Sequence, residues 1–284
     1  MKKLLILFGL SCLLGLLIIL NFATNSVKQL AQLQITYFNI GQGDAALITT
    51  AIGEHVLIDC GPDQQILAAL NHQLNWWEKK LDTIIISHDH ADHWGGLSYL
   101  IDKYSIQKII LAKPPTLSPE LSAILNTAQQ KNIAIVDIRA PTIINLSDGS
   151  QLTVLWPTEQ QLLKYQTNIN NQSLVILWHY GQTSFLWTGD LETEAEEELL
   201  TNQPPGQPIN IIKIAHHGSW TATGLNWLNY WQPSLAVISV GLNNQFNLPS
   251  QLVIKRLQRL GIRLWRTDQL ADLHVFSNGQ IIWR

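Results

Sequence analysis

Ser87-His88-Asp89-His90-Ala91-Asp92-His93-Trp94-Gly95-Gly96 gathers three of the nine histidines of a 284-residue chain into six positions, as His-x-His-x-Asp-His. The segment follows an apolar, β-branched run over 83–87 that reads as a buried strand. A polar run at the carboxyl end of a strand, closed by two glycines, can present several side chains to one cleft. In an extended chain His88 and His90 point the same way and can share one metal ion, while Asp92 and His93 turn toward a second. Imidazole nitrogen with carboxylate oxygen suits zinc, and a larger carboxylate share shifts the preference toward manganese. Asp89 reads as support for the loop. A plain solvated loop is the competing reading, and a buried strand leading straight into clustered imidazoles argues against it.

Three further segments carry candidate residues. Thr188-Gly189-Asp190 follows a second apolar strand, Thr183 to Trp187, so Asp190 either caps a helix starting at Leu191 or bridges two ions about 3.5–4 Å apart. Ala215-His216-His217-Gly218-Ser219 ends a third strand. Neighbours on a strand face opposite sides, so one of His216 and His217 is expected as a ligand, and which one stays open. Asp59, before Cys60-Gly61-Pro62, is either a turn residue or the partner of a ligand histidine's second ring nitrogen. His55, His72 and His274 read as ordinary polar residues, and His179 as a spare candidate.

Composition removes several classes. With 46% apolar and 14% charged residues the chain is neither disordered nor a coiled coil. Two cysteines, Cys12 and Cys60, exclude a disulfide framework and a cysteine-rich zinc module. The formal charge of -3 is not that of a basic nucleic-acid domain. Lys255, Arg256, Arg259, Arg263 and Arg266 could hold phosphates, but a solvated helix face followed by an edge strand explains them more simply. The eleven tryptophans are expected mostly in the core and at sheet–helix seams, with a base-stacking platform as the less expected use.

Leu4 to Ala23 are 20 residues without a charge, preceded by Lys2 and Lys3. That length matches a hydrocarbon core of about 30 Å, so one spanning helix is expected, with a cleaved signal peptide as the competitor. Two lysines before the span against Lys28 after it favour an inside amino end. The expected arrangement is a single-pass membrane protein with a membrane anchor and short linker over 1–32 and one outward-facing domain over 33–284. Strand-like runs at 34–38, 46–50, 55–59, 83–87, 108–111, 174–177, 211–214 and 235–238, with helical spacing around 63–79, 117–130, 191–201 and 249–260, give an α/β class and a mixed sandwich. Without residues 1–24 the formal charge falls from -3 to -5, so a polyanion would have to meet a local patch or a bound metal.

Taken together, these residues resemble the metallo-β-lactamase superfamily and, more narrowly, the soluble hydrolase domain of ComEC-type DNA-internalisation competence proteins. The resemblance runs from about residue 33 to the carboxyl end. It rests on 38–45 with its Gly41-Gln42-Gly43-Asp44 turn, Ile58-Asp59-Cys60-Gly61, the His88–His93 motif, Asn171-Gln172-Ser173-Leu174, Thr188-Gly189-Asp190, 213–219 and 238–243. It implies an αββα metallo-β-lactamase sandwich with two divalent ions, Zn or Mn, at one edge. His88, His90, Asp92 and His93 would be ligands, Asp190 would bridge, and His216 or His217 would supply the late histidine. Asp92 and Asp190 would then be the catalytic carboxylates, with Lys213 and Ser219 toward the substrate.

The implied activity is a nuclease that degrades one DNA strand while the other enters the cell. A single strand would be the substrate and competence-channel proteins the partners. Two divalent ions would make water more acidic, toward a pKa of about 7, and stabilise the charge developing on a phosphodiester. Three features depart from the family pattern: Asn39 stands where an Asp is usual, Asn247-Leu248-Pro249 replaces a Gly-His-Pro, and this chain has one expected span where those proteins have many. Two rival readings remain at this level. One is a small-molecule ester, thioester or lactam hydrolase, which calls for a deep closed pocket; the other is a metal-free DNA-binding or assembly module.

Overall fold

The computed structural model describes residues 32–75, 77–201, 206 and 208–284. The span expected over residues 4–23 therefore lies outside the described residues. Among the described residues no helix is long and apolar enough to cross a membrane.

Each half of the chain builds one sheet by the same plan, an antiparallel meander followed by parallel strands. In the first half β1 (Leu33–Tyr37), β2 (Ala46–Thr49) and β3 (His55–Ile58) form the meander, and β4 (Lys80–Ile86), β5 (Ser105–Leu111) and β6 (Ala134–Asp137) continue it in parallel. Helices α1 (Gln65–Gln73), α2 (Ala91–Trp94), α3 (Leu97–Lys103) and α4 (Pro119–Gln130) connect them. In the second half β7 (Thr142–Asn145), β8 (Gln151–Trp156), β9 (Val175–Tyr180) and β10 (Thr183–Trp187) are antiparallel, and β11 (Ile211–Lys213), β12 (Leu235–Ile238) and β13 (Arg263–Arg266) are parallel. The helices here are α5 (Glu159–Lys164), α6 (Thr193–Thr201), α7 (Leu225–Trp231), α8 (Gln251–Arg259) and α9 (Thr267–Leu270). β14 (Leu273–Ser277) then returns to pair with β1, and β15 (Ile282–Trp283) pairs with β14.

The period-2 alternation of the strands divides the core. On the first sheet Leu47, Leu57, Ile84 and Ile86 pack against Ile66, Leu70, Leu97 and Leu100 of the helices, while their neighbours Ile48, Val56, Ile58 and Ile85 face inward. There they meet Ile176, Trp178, Phe185, Trp187 and Val237 of the second sheet. The opposite face of that sheet carries Val175, Leu186, Ile212 and Ile238 against Trp227, Leu228, Trp231 and Leu257. The result is four layers, αββα, with apolar side chains filling each seam at roughly 1.5–3 kcal/mol per buried large residue. Most tryptophans are in these seams, as their size favours.

This topology fixes where chemistry can gather. The carboxyl ends of β3, β4, β10, β11 and β12 lie at one edge of the sandwich and deliver Asp59, His88, Asp190, Lys213 with His217, and Ser239. Open sheets with parallel strands commonly place their ligand sites at this edge. Two local expectations change. The helix expected from residue 191 begins at Thr193, and the histidine pair expected at a strand end lies in a 3-10 turn, Ala215–Gly218.

Candidate metal centre

Two glycines let the segments that carry the site close on one another. Gly43 has φ +148°, and a Cβ on it would lie 2.4 Å from the Asp92 carbonyl oxygen, so only glycine lets the 41–44 turn press against α2. A Cβ on Gly95 would lie 2.0 Å from the Pro62 carbonyl oxygen, so the turn after β3 meets the end of the histidine loop. The His93 carbonyl then accepts from Cys60 N–H at 2.6 Å, and Asp44 N–H donates to Asp92 at 3.2 Å. Asp89 supports the loop: it accepts from Trp94 Nε1 at 3.0 Å and Ser118 Oγ at 2.7 Å.

Two groups of donors converge here. Asp92, His93, Asp190 and His217 each offer an atom within 4.8 Å of the others, and so do His88, His90 and Asp190. Asp190 belongs to both. Its Oδ2 is 3.6 Å from His217 Nε2, 3.9 Å from His88 Nε2 and 4.0 Å from His216 Nε2, and its Oδ1 is 3.4 Å from His93 Nε2. His217 Nε2 is 3.0 Å from Asp92 Oδ2, and His88 Nε2 is 3.0 Å from His90 Nδ1.

The second nitrogen of three of these imidazoles, those of His93, His217 and His88, is held from behind. His93 Nδ1–H donates to Asp59 Oδ2 at 2.8 Å, and Asp59 is itself fixed by Ser87 N–H at 2.7 Å. His217 Nδ1–H donates to the Ser239 carbonyl at 3.0 Å. Ser87 Oγ lies 3.0 Å from His88 Nδ1. Such partners fix the tautomer and aim Nε2 at the shared centre.

A divalent cation fits this arrangement. His93 Nε2 and Asp190 Oδ1 are both buried and have no hydrogen-bond partner among the described residues, although they face one another. Buried polar atoms without partners are rare, and aimed at one point they mark a place for a cation. The donor chemistry, imidazoles with carboxylates, is that of zinc or manganese.

The charges agree with this. Burial disfavours charge on His93, yet the carboxylates of Asp190, Asp59 and Asp92 outweigh it and hold the imidazole pKa well above its ordinary value. Burial likewise opposes charge on His217, and Asp190 with Asp44 raises it to about 10. Asp190 is held well below the ordinary carboxylate range in spite of burial, by the imidazoles of His93, His217 and His88. His88 and His90 are pushed down, first by burial. A concentration of negative charge that draws protons onto deep imidazoles also draws a metal ion.

A third group, Asp44, Asp59 and His93, already has a cation. The Lys213 ammonium forms an ion pair with Asp44, lies 3.1 Å from the Gly189 carbonyl and 3.8 Å from Asp190 Oδ1. Lys213, expected to contact substrate phosphates, is thus buried and turned inward, because Asp44 supplies the carboxylate that pays for its desolvation. Ser219, also expected toward the substrate, is buried, with its hydroxyl 2.9 Å from Thr221 Oγ1.

The two late histidines separate by backbone twist. Both have φ of 50°, and His217 enters the centre while His216 remains part-exposed, with Nδ1 3.4 Å from Glu192 Oε1 and 3.3 Å from Thr221 Oγ1. Asn39 is exposed and its N–H donates to Asp272, so the change from Asp falls outside the centre. Leu248 packs against the helices of the second sheet. Of the basic stretch, Arg256 donates to the Ala222 and Thr223 carbonyls and Arg266 pairs with Asp268. Asp44 and Glu192 were not among the expected site residues; an acid directly after the Gly-Gln-Gly turn was the available signal for the first.

The sequence profile of the Metallo-beta-lactamase superfamily matches residues 39–241. The chain belongs to this superfamily. Among curated relatives it is 34% identical over 191 residues to the ComE operon protein 3 of Bacillus subtilis, covering 67% of this chain and 24% of the relative. It is 28% identical over 235 residues to Competence protein ComA of Neisseria gonorrhoeae, covering 82% of this chain and 31% of that protein. The superfamily chain thus spans about a quarter to a third of the length of these relatives, and its similarity to them supports the ComEC-type resemblance. Among solved structures CmlA, a diiron β-hydroxylase from Streptomyces venezuelae, superposes with a TM-score of 0.58 at 13% identity, over 85% of this chain and 53% of that one; this likeness is one of fold.

Proposed function

We propose that this superfamily hydrolase is a dinuclear metal-dependent phosphodiesterase that cleaves DNA, acting on a single strand during uptake. The observation that carries the reading is one buried carboxylate, Asp190, shared by two donor groups. His88 and His90 with Asp190 would hold one divalent ion, and Asp92, His93 and His217 with Asp190 the other. When bound, the pair of ions, zinc or manganese, supplies Lewis acidity toward a phosphodiester and makes water more acidic. The chain's own residues do the positioning. Asp59 and the Ser239 carbonyl hold protons on His93 Nδ1 and His217 Nδ1 and so keep both Nε2 atoms directed inward. Lys213 balances Asp44 and keeps the carboxylates assembled.

The names of the competence relatives support DNA uptake as the setting. An anchor over residues 4–23, a hydrolase domain over 33–284 outside the membrane and competence-channel partners belong to the same reading, supported by the uncharged amino-terminal stretch. The cavity behind the centre, lined by Tyr37, Asp44, Asp59, Ser87 and Lys213, measures about 10 Å³ and has room for at most one water.

The full chain supplied with Zn²⁺ or Mn²⁺ should cut single-stranded DNA, lose that activity to a chelator and recover it on adding the ion back. Asp190→Ala should lower the rate by roughly 10²–10³-fold or more. Undiminished cleavage by that variant rejects the mechanism.

A further inference from the structure

We propose that Trp220 and Phe246, with Leu242 from the same loop as Phe246, form a stacking platform for the unpaired bases that flank the scissile phosphate. The proposal rests on the phosphodiesterase reading and names the part of the substrate that the rim of the site would grip.

Large apolar side chains are costly to leave in water, and three stand out in the two segments attached to the His217 turn. Trp220 is 67% exposed, Leu242 70% and Phe246 58%. They come from two segments tied to the same turn. Trp220 lies three residues after His217, and its neighbours are locked: Ser219 N–H donates to the His216 carbonyl at 2.8 Å, and Thr221 Oγ1 donates to Glu192 at 2.8 Å. The second segment starts at Ser239, whose carbonyl accepts from His217, and ends at Ser250, whose N–H donates to the Gly218 carbonyl at 2.9 Å. Both segments are therefore tied to the turn that carries His217.

The second loop is held open rather than collapsed. Asn244 Oδ1 accepts from Phe246 N–H at 3.2 Å and Leu248 N–H at 3.0 Å, and its Nδ2 donates to the Gly241 and Leu248 carbonyls at 2.9 and 2.7 Å. Gly241 N–H is in turn anchored on Gln42 Oε1 at 3.2 Å. This bracing sends Leu248 inward and leaves Leu242 and Phe246 outside, so the surface is preformed and little ordering is lost on binding.

The chemistry of the rim selects its occupant. Neither His217–Leu225 nor Ser239–Ser250 contains an acidic residue, although the chain carries a net negative charge. The exposed positions that flank Phe246 along its loop are amides, Asn243, Gln245 and Asn247, able to donate and accept at base edges. Flat rings fringed by uncharged amides suit bases, whose faces stack on aromatic side chains without regard to sequence. A base within a duplex has both faces covered by its neighbours, so the platform favours an unpaired strand.

The test uses the full chain and a labelled oligothymidylate of about 12 nucleotides, with binding followed by fluorescence anisotropy in chelator. Trp220→Ala and Phe246→Ala should each weaken binding by about tenfold, and Trp220→Phe should restore most of the loss. An abasic strand of equal length should bind the wild type as weakly as the ordinary strand binds the double variant. With metal present, KM for the oligonucleotide should rise in the alanine variants while kcat changes little. Equal affinity for ordinary and abasic strands, or alanine variants that bind like the wild type, overturns the proposal and leaves the patch to another partner, such as a protein. Since binding is read without turnover, a wild type that fails to cut DNA refutes the proposed activity separately.

Discussion

At the metal centre Asp44, Asp92 and Asp190 are largely out of solvent and yet stay below the ordinary carboxylate range, whereas Glu196 in α6 is pushed up to about 7. Burial acts in the same direction on all four. The three aspartates face His93, His217 and Lys213, whose positive charge outweighs the desolvation. Glu196 accepts from Thr223 N–H at 2.6 Å and Gly224 N–H at 2.8 Å, at the start of α7, and those dipoles with the nearby Arg256 do not suffice. The contrast separates two uses of a buried acid. Asp44, Asp92 and Asp190 sit among cationic side chains that a metal ion could replace, whereas Asp59 beside them is, like Glu196, pushed up by burial and serves to hold a neighbouring group in place.

Lys213→Met leaves Asp44 buried beside no ammonium, and without added metal it should lower unfolding stability by about 3–5 kcal/mol. Asp44→Asn with Lys213→Met should recover most of that in thermal unfolding; a single variant as stable as the double one would show the pair to be inert. Glu196 offers a pH test. It binds its proton more tightly folded than unfolded, so its contribution is complete below pH 4.5 and is lost as pH rises through about 7. Urea unfolding should show a loss of roughly 3 kcal/mol across that window, flattened in Glu196→Gln. The smallest effect concerns the support behind the centre: Asp59→Asn should weaken metal binding by about 10–100-fold with the fold retained, measured by competition with a chromogenic chelator.

Much of this centre is legible in the sequence. Imidazoles packed into six residues after a buried strand announce themselves, and Asp190 stands at the end of another strand. The convergence of Asp44 with Lys213 and His217 depends on which strands lie at one sandwich edge, and local sequence does not encode that. Lys213 therefore read as an outward phosphate contact. Strand alternation also gave the wrong reason for separating His216 from His217, since both adopt a left-handed backbone in a 3-10 turn. The helices α3, α5 and α7 have only 6 or 7 residues, too few for a periodic signal. The edge strands β6 and β7 bury no residue fully, unlike β1 to β4, whose buried apolar and β-branched runs read as strands.

The proposed pair of cation sites turns on Asp190, the carboxylate common to both donor groups. Calorimetric titration of the metal-stripped full chain with Zn²⁺ or Mn²⁺ addresses it directly, with Asp190→Asn alongside. The wild type should bind two equivalents, and the variant should lose affinity at both. A single equivalent in the wild type, or two sites in Asp190→Asn with affinities unchanged, would contradict it.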